Sequence, residues 1–116
     1  MDSGAYKNRI IIQKLVLSQD GVGNEEEKWI NYKKTYAYVN NLSGSEYWEA
    51  AAVHQENTVE FIFRYNRLFE KMNTAEYRLI FRKRIYDIKF IDNIQFQNKT
   101  IKIRAVEKDG KEYRRK

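Results

Sequence analysis

Residues Asn57–Asn66 read NTVEFIFRYN. Val59, Phe61, Phe63 and Tyr65 share one parity, and Thr58, Glu60 and Arg64 share the other. Side chains of a strand alternate between its faces, so this spacing predicts a half-buried β-strand. Downstream, RLFEKMNTAE (67–76) is polar and reads as a loop. YRLIFRKRIYDIKFIDNI (77–94) then reads as a hairpin. In it Tyr77, Leu79 and Phe81 alternate with Arg78, Ile80 and Arg82, and Tyr86, Ile88 and Phe90 with Asp87 and Lys89. Its turn falls near Arg82–Arg84 and lacks the glycine such turns favour. KTIKIRAVEK (99–108) closes the series, with Ile101, Ile103 and Ala105 on one face and Lys102 and Arg104 on the other.

Upstream the pattern continues. RIIIQKLVLS (9–18) is β-branched and aliphatic on both parities, which suits a strand covered on both faces. Asp20, Gly21, Gly23 and Asn24 follow as turn residues, so a hairpin loop is expected there, with Glu25–Glu27 solvated in it. KWINYKKTYAYVNNL (28–42) is a long strand, with a break expected near Lys33–Lys34. About six strands joined mostly by short loops predict a mainly β fold. The expected form is a small antiparallel β-barrel or curled sandwich, with one short helix or long loop inserted after the second strand. Closure would also hide the sheet edges.

At 116 residues, 42% hydrophobic and 33% charged, the chain is expected to be a single domain over 1–116. Residues 108–116, rich in lysine and arginine, are expected to fray as a basic tail. Nine tyrosines, six phenylalanines and two tryptophans agree with a strand-rich fold. Cysteine is absent and histidine occurs once, so no disulfide framework, thiol nucleophile or metal site is expected. The N-terminal residues resemble neither a signal peptide nor a membrane span, which places the free chain in the cytoplasm of the cell that makes it. DGVGN (20–24) lacks the Gly-Lys-Ser/Thr of a phosphate loop, and His54 has no nucleophile beside it. Neither catalysis nor a cofactor is expected.

One segment departs from the rest. NLSGSEYWEAAAVHQEN (41–57) contains no lysine or arginine, in a chain that holds 22. Glu46, Glu49 and Glu56 give it −3; against +6 overall, the remainder carries +9. Ser43 and Glu46 have the spacing of a capping box, and the alanines that follow favour a helix. Tyr47, Ala50, Ala51 and His54 would share one face, with Trp48 and Ala52 one turn apart on another. A helix this short is marginal alone and needs packing against its own barrel or a neighbour.

The segment also carries a resemblance. Leu42, Ser43, Gly44, Glu46, Tyr47, Glu49 and Ala50, followed by Arg64, Tyr65, Arg84, Tyr86, Asp87 and Ile88, match in order and spacing a pattern of the phage head–tail joining proteins. These are also called head–tail adaptors, or head-completion stoppers, of long-tailed phages and prophages. The resemblance runs from about Arg9 to Ala105. It departs at Asn41, where a proline is common, and does not include the tail after Glu107.

The resemblance implies a non-enzymatic virion protein at the head–tail interface. Such proteins are small barrels that form a homo-oligomeric ring, usually of twelve copies, beneath the portal and its adaptor ring. The ring completes the DNA-filled head and offers a docking face to a tail-completion or tail terminator protein. The segment then becomes a gate toward the DNA channel, comprising Leu42, Ser43, Gly44, Glu46, Tyr47, Trp48, Glu49, Ala50, Ala51, His54 and Glu56. Affinity for DNA comes largely from lysine and arginine releasing condensed counterions, so a gate without bases would block packaged double-stranded DNA without gripping it. Acids that merely solvate an exposed helix face would look the same. An alternative of another class is a monomeric OB-like barrel that binds single strands through FRYNRLF (63–69) and YRLIFRKRIY (77–86).

Overall fold

Six antiparallel strands close into a barrel in the computed structural model, which describes residues 7–41, 48–49, 52 and 57–112. They are β1 (Asn8–Gln19), β2 (Glu25–Asn41), β3 (Thr58–Arg64), β4 (Tyr77–Phe81), β5 (Arg84–Asn93) and β6 (Thr100–Glu112). Around the barrel the order is β1-β2-β3-β6-β5-β4, with β4 returning to pair with β1 at Ile11–Lys14. Of the two forms expected, the closed barrel is therefore the one found. β6 continues to Glu112, into the stretch read as a basic tail; 113–116 lie outside the described residues.

The alternating positions of β3 and β6 meet inside the barrel. Phe61, Phe63, Ile103 and Ala105 are fully buried, and Ile101 nearly so. Phe61 is the hub: its ring centroid lies 5.3 Å from that of Tyr86 and 5.8 Å from that of Phe81, both edge-on. Edge-to-face pairs at such distances add to what area burial alone contributes.

Several local expectations are corrected. β3 is not half-buried, because Glu60 and Ile62 on its outer parity are buried as well. β2 is not broken near Lys33–Lys34. It runs unbroken, and its register against β1 slips where Ile12 faces Lys33 and Gln13 faces Asn31, leaving Tyr32 as the extra residue of a bulge. Glu25–Glu27 are strand residues of β2 rather than loop. A second slip, at Lys89 between Ile88 and Phe90, inverts the rest of β5: Phe90 turns outward, 47% exposed, and Ile91 packs on the core. One inserted residue moves every later side chain to the other face. The polar stretch after β3 holds a 3-10 turn, Arg67–Lys71, capped by the Asn66 side chain and inserting Phe69 into the core.

The β4–β5 turn is made by Arg82 and Lys83, both at positive φ (51° and 64°). This is the sign required of both central residues by the mirror-image turn that matches strand twist, here without glycine. It lies at the barrel rim where β1 begins, β2 ends and β3 begins. The opposite rim carries the β1–β2 connection, the 3-10 turn Arg67–Lys71 and a second one at Ile94–Phe96.

Candidate assembly site at the barrel rim

β2 and β3 are neighbours, and Asn41 lies opposite Val59 at the end of their ladder. The chain between them leaves and re-enters the barrel at adjacent positions on one rim. Within it, Trp48, Glu49 and Ala52 have α-helical backbone and are exposed, Trp48 to 71%. The other candidate residues, Leu42, Ser43, Gly44, Glu46, Tyr47, Ala50, Ala51, His54 and Glu56, lie outside the described residues.

The rim beside this segment is basic. Arg82, Lys83 and Arg84 are exposed at the β4–β5 turn. The Arg82 guanidinium rests 5.1 Å from the Phe81 ring, and Arg84 Nη1 lies 3.4 Å from Glu107 Oε1. That ion pair is solvated and contributes little to stability. Burial raises the Tyr86 phenol above its ordinary value, and the nearby Glu107 adds to this, while Arg84 and Arg82 oppose it. The phenol therefore stays neutral at physiological pH and serves as core rather than as an acid.

Two residues into β3, Glu60 is held against two bases on the outer wall. Its Oε2 lies 3.4 Å from Arg104 Nε and 3.9 Å from Lys102 Nζ. The sequence pattern showed Glu60 as a solvated residue on the wet face; its pairing across β3 and β6 depends on strand order. Asp87 sits opposite Arg78 in the β4–β5 ladder, a basic neighbour for it. Among the described residues, no three histidine, cysteine, aspartate or glutamate side chains converge as metal ligands. Nor is any described helix long and apolar enough to cross a membrane.

At the other rim, a polar cluster missed in the sequence fastens the base of the β1–β2 hairpin. Gln13, only 3% exposed, donates from Nε2 to Asn31 Oδ1 (3.0 Å) and accepts at Oε1 from Arg78 Nε (2.9 Å). Leu15 N donates to Glu76 O at 2.7 Å. A buried glutamine with both ends engaged joins β1, β2 and β4 at one level. The one signal for it was a glutamine among the isoleucines of RIIIQK.

Comparison with known proteins agrees with this architecture. Residues 1–108 match the family described as phage head completion protein. The chain belongs to the phage head completion protein family. Among solved structures, this head completion protein is similar to protein SF1141 from Shigella flexneri 2a, with a TM-score of 0.71 and 24% identity over 96% of this chain and 100% of the other. It is also similar to a chain in the virion of a native gene transfer agent particle, with a TM-score of 0.55 and 16% identity over 89% of this chain and 96% of that one. A search of curated proteins found no match. Membership makes the protein a structural component of the phage particle, acting in head completion.

Proposed function

We propose that this head completion protein acts as a non-enzymatic ring, of about twelve copies as the family resemblance implies. The ring sits beneath the portal and adaptor, with residues 41–57 directed at the DNA channel. Its outer face receives the tail-completion or tail terminator protein. The observation that carries the reading is the contrast at one rim. A long connection with three acids and no base leaves from between two adjacent strands, beside the exposed Arg82, Lys83 and Arg84.

That contrast divides the labour. A segment without lysine or arginine releases no counterions from DNA and offers it no electrostatic grip. Its carboxylates repel phosphates over roughly one Debye length, about 8–10 Å. Retention is then steric, by aromatic bulk such as Trp48 and Tyr47 narrowing the pore. The basic rim is left for contacts with protein.

The test is DNA release from filled heads carrying Glu46→Lys and Glu49→Lys. New bases in the lumen should slow ejection, more so at low salt. Ejection at the unaltered rate, with the variant present in the particle, would count against a gate at this position.

A further inference from the structure

Beyond the barrel, β1 and β2 continue as a two-stranded ribbon. β4 accompanies β1 only over Ile11–Lys14, and β3 accompanies β2 only over Ala37–Asn41. From Val16 opposite Lys28 out to Gln19 opposite Glu25, neither strand has a third partner in the barrel. Two-stranded ribbons are marginally stable alone. This one carries Leu17, 66% exposed, and Val22, 82% exposed at the tip. Leu17 shares a face with Glu25 and Glu27, because strand side chains alternate. Over residues 16–28, Asp20, Glu25, Glu26 and Glu27 oppose Lys28 alone, a net −3 in a chain of +6.

We infer that this ribbon is an assembly arm that docks on the outer wall of β3, β6 and β5 of a neighbouring copy. The inference rests on the ring reading above and supplies its subunit contact. The wall is complementary to the arm in both charge and apolarity. On β6, Lys102 stands over the buried Ile62 of β3, and Arg104 lies between the buried Glu60 of β3 and Phe90 of β5, which is exposed and supplies the apolar contact. With Arg64 and the exposed bulge residue Lys89, four bases stand there against Glu60 and Asp92. Acids beside Leu17 meet bases beside Phe90, which fixes partner and register.

Geometry favours a neighbour over the chain's own wall. Barrel strands tilt strongly from the axis, by about 35–45°, so a ribbon prolonging two of them leaves obliquely, away from its own barrel. The four residues from Val16 to Gln19 extend it roughly 14 Å at about 3.4 Å per residue, enough to reach an adjoining subunit. Arm on wall is a head-to-tail contact between different surfaces, the type that closes into rings, whereas arm on arm would stop at a pair.

The natural absence of cysteine makes the test direct. Head particles are assembled with a chain carrying Leu17→Cys and Phe90→Cys, both at exposed sites, and oxidised gently. A ladder of disulfide-linked oligomers is expected, with each single variant yielding at most pairs. Rings seen by electron microscopy without a ladder would overturn the arm and leave the ring reading standing; a lack of rings in the wild-type particle would end both. Efficient pairing by Leu17→Cys alone, or shielding of Lys102 by single-stranded DNA in place of the arm, would also overturn it. As a second measurement, Glu25→Lys with Glu26→Lys and Glu27→Lys should lower ring incorporation by about tenfold or more, and Arg64→Glu with Lys89→Glu, which leave the Glu60 pairings in place, should partly restore it. Unchanged incorporation of the triple variant would refute the arm.

Discussion

The guanidinium of Arg78 lies 4.3 Å from the centre of the Trp29 ring, while its Nε donates to the buried Gln13. One side chain from β4 thus holds both strands of the projecting ribbon at its base. Arg78→Ala removes a stacking contact of about 0.5–2 kcal/mol. It also takes away the donor to a buried amide oxygen, at a further cost of about 1–3 kcal/mol if water does not replace it. The expected loss is about 2 kcal/mol in urea unfolding. Arg78→Lys should recover less than half, since an ammonium lacks the planar stack and the fork geometry.

Phe61 and Phe90 separate what alternation predicts from what the bulge decides. Phe61→Ala opens a cavity at the aromatic hub and should cost about 3–5 kcal/mol. Phe90→Ala, though on the apolar parity of its segment, lies beyond the slip at Lys89 and should change monomer stability by about 0.5 kcal/mol or less. Equal losses at the two positions would contradict the register of β5.

The β4–β5 turn places two long side chains where an L-residue is strained, at about 1–2 kcal/mol each in the left-handed region. Replacing Arg82–Lys83 by Asn-Gly supplies residues that enter that region more readily. A gain of about 1 kcal/mol is expected, read as a higher midpoint in urea. If these bases serve contacts at the rim, the stabilised variant should assemble less well.

Asp20 accepts backbone hydrogen bonds from Val22 (2.9 Å) and Asn24 (3.0 Å), and these hold its carboxyl below the ordinary value of 3.8. The sign follows from linkage: a depressed folded value means the carboxylate supports the loop above pH 3.8, and that support fades as pH falls through the folded value. Amide exchange at Val22 and Asn24 should therefore quicken relative to the barrel below pH 3.8. Asp20→Asn keeps an acceptor but should abolish this pH dependence.

Much of this protein follows from short-range regularities. The strand at 58–64 was legible because its inward residues recur every second position. The inward rows of β4 and β6 were legible for the same reason. The hairpin at Arg82–Lys83 could be placed without its glycine, since the alternation on either side must change phase at the turn. The candidate site was visible as a gap in the basic charge between Asn41 and Asn57, which needs no coordinates to count.

What tertiary structure alone decided depends on partners distant in the chain. The bulges at Tyr32 and Lys89 arise from how neighbouring strands line up, so no local period announced that Phe90 would face outward. Phe69 looked like part of a polar loop until the barrel offered its aromatic pocket. The ribbon at 16–28 projects only because β4 and β3 stop short of it, and the Glu60 pairings exist only because β6 lies beside β3. Alternation and net charge are written residue by residue, whereas register, closure and the edge at which a strand loses its neighbours are set by contacts between strands.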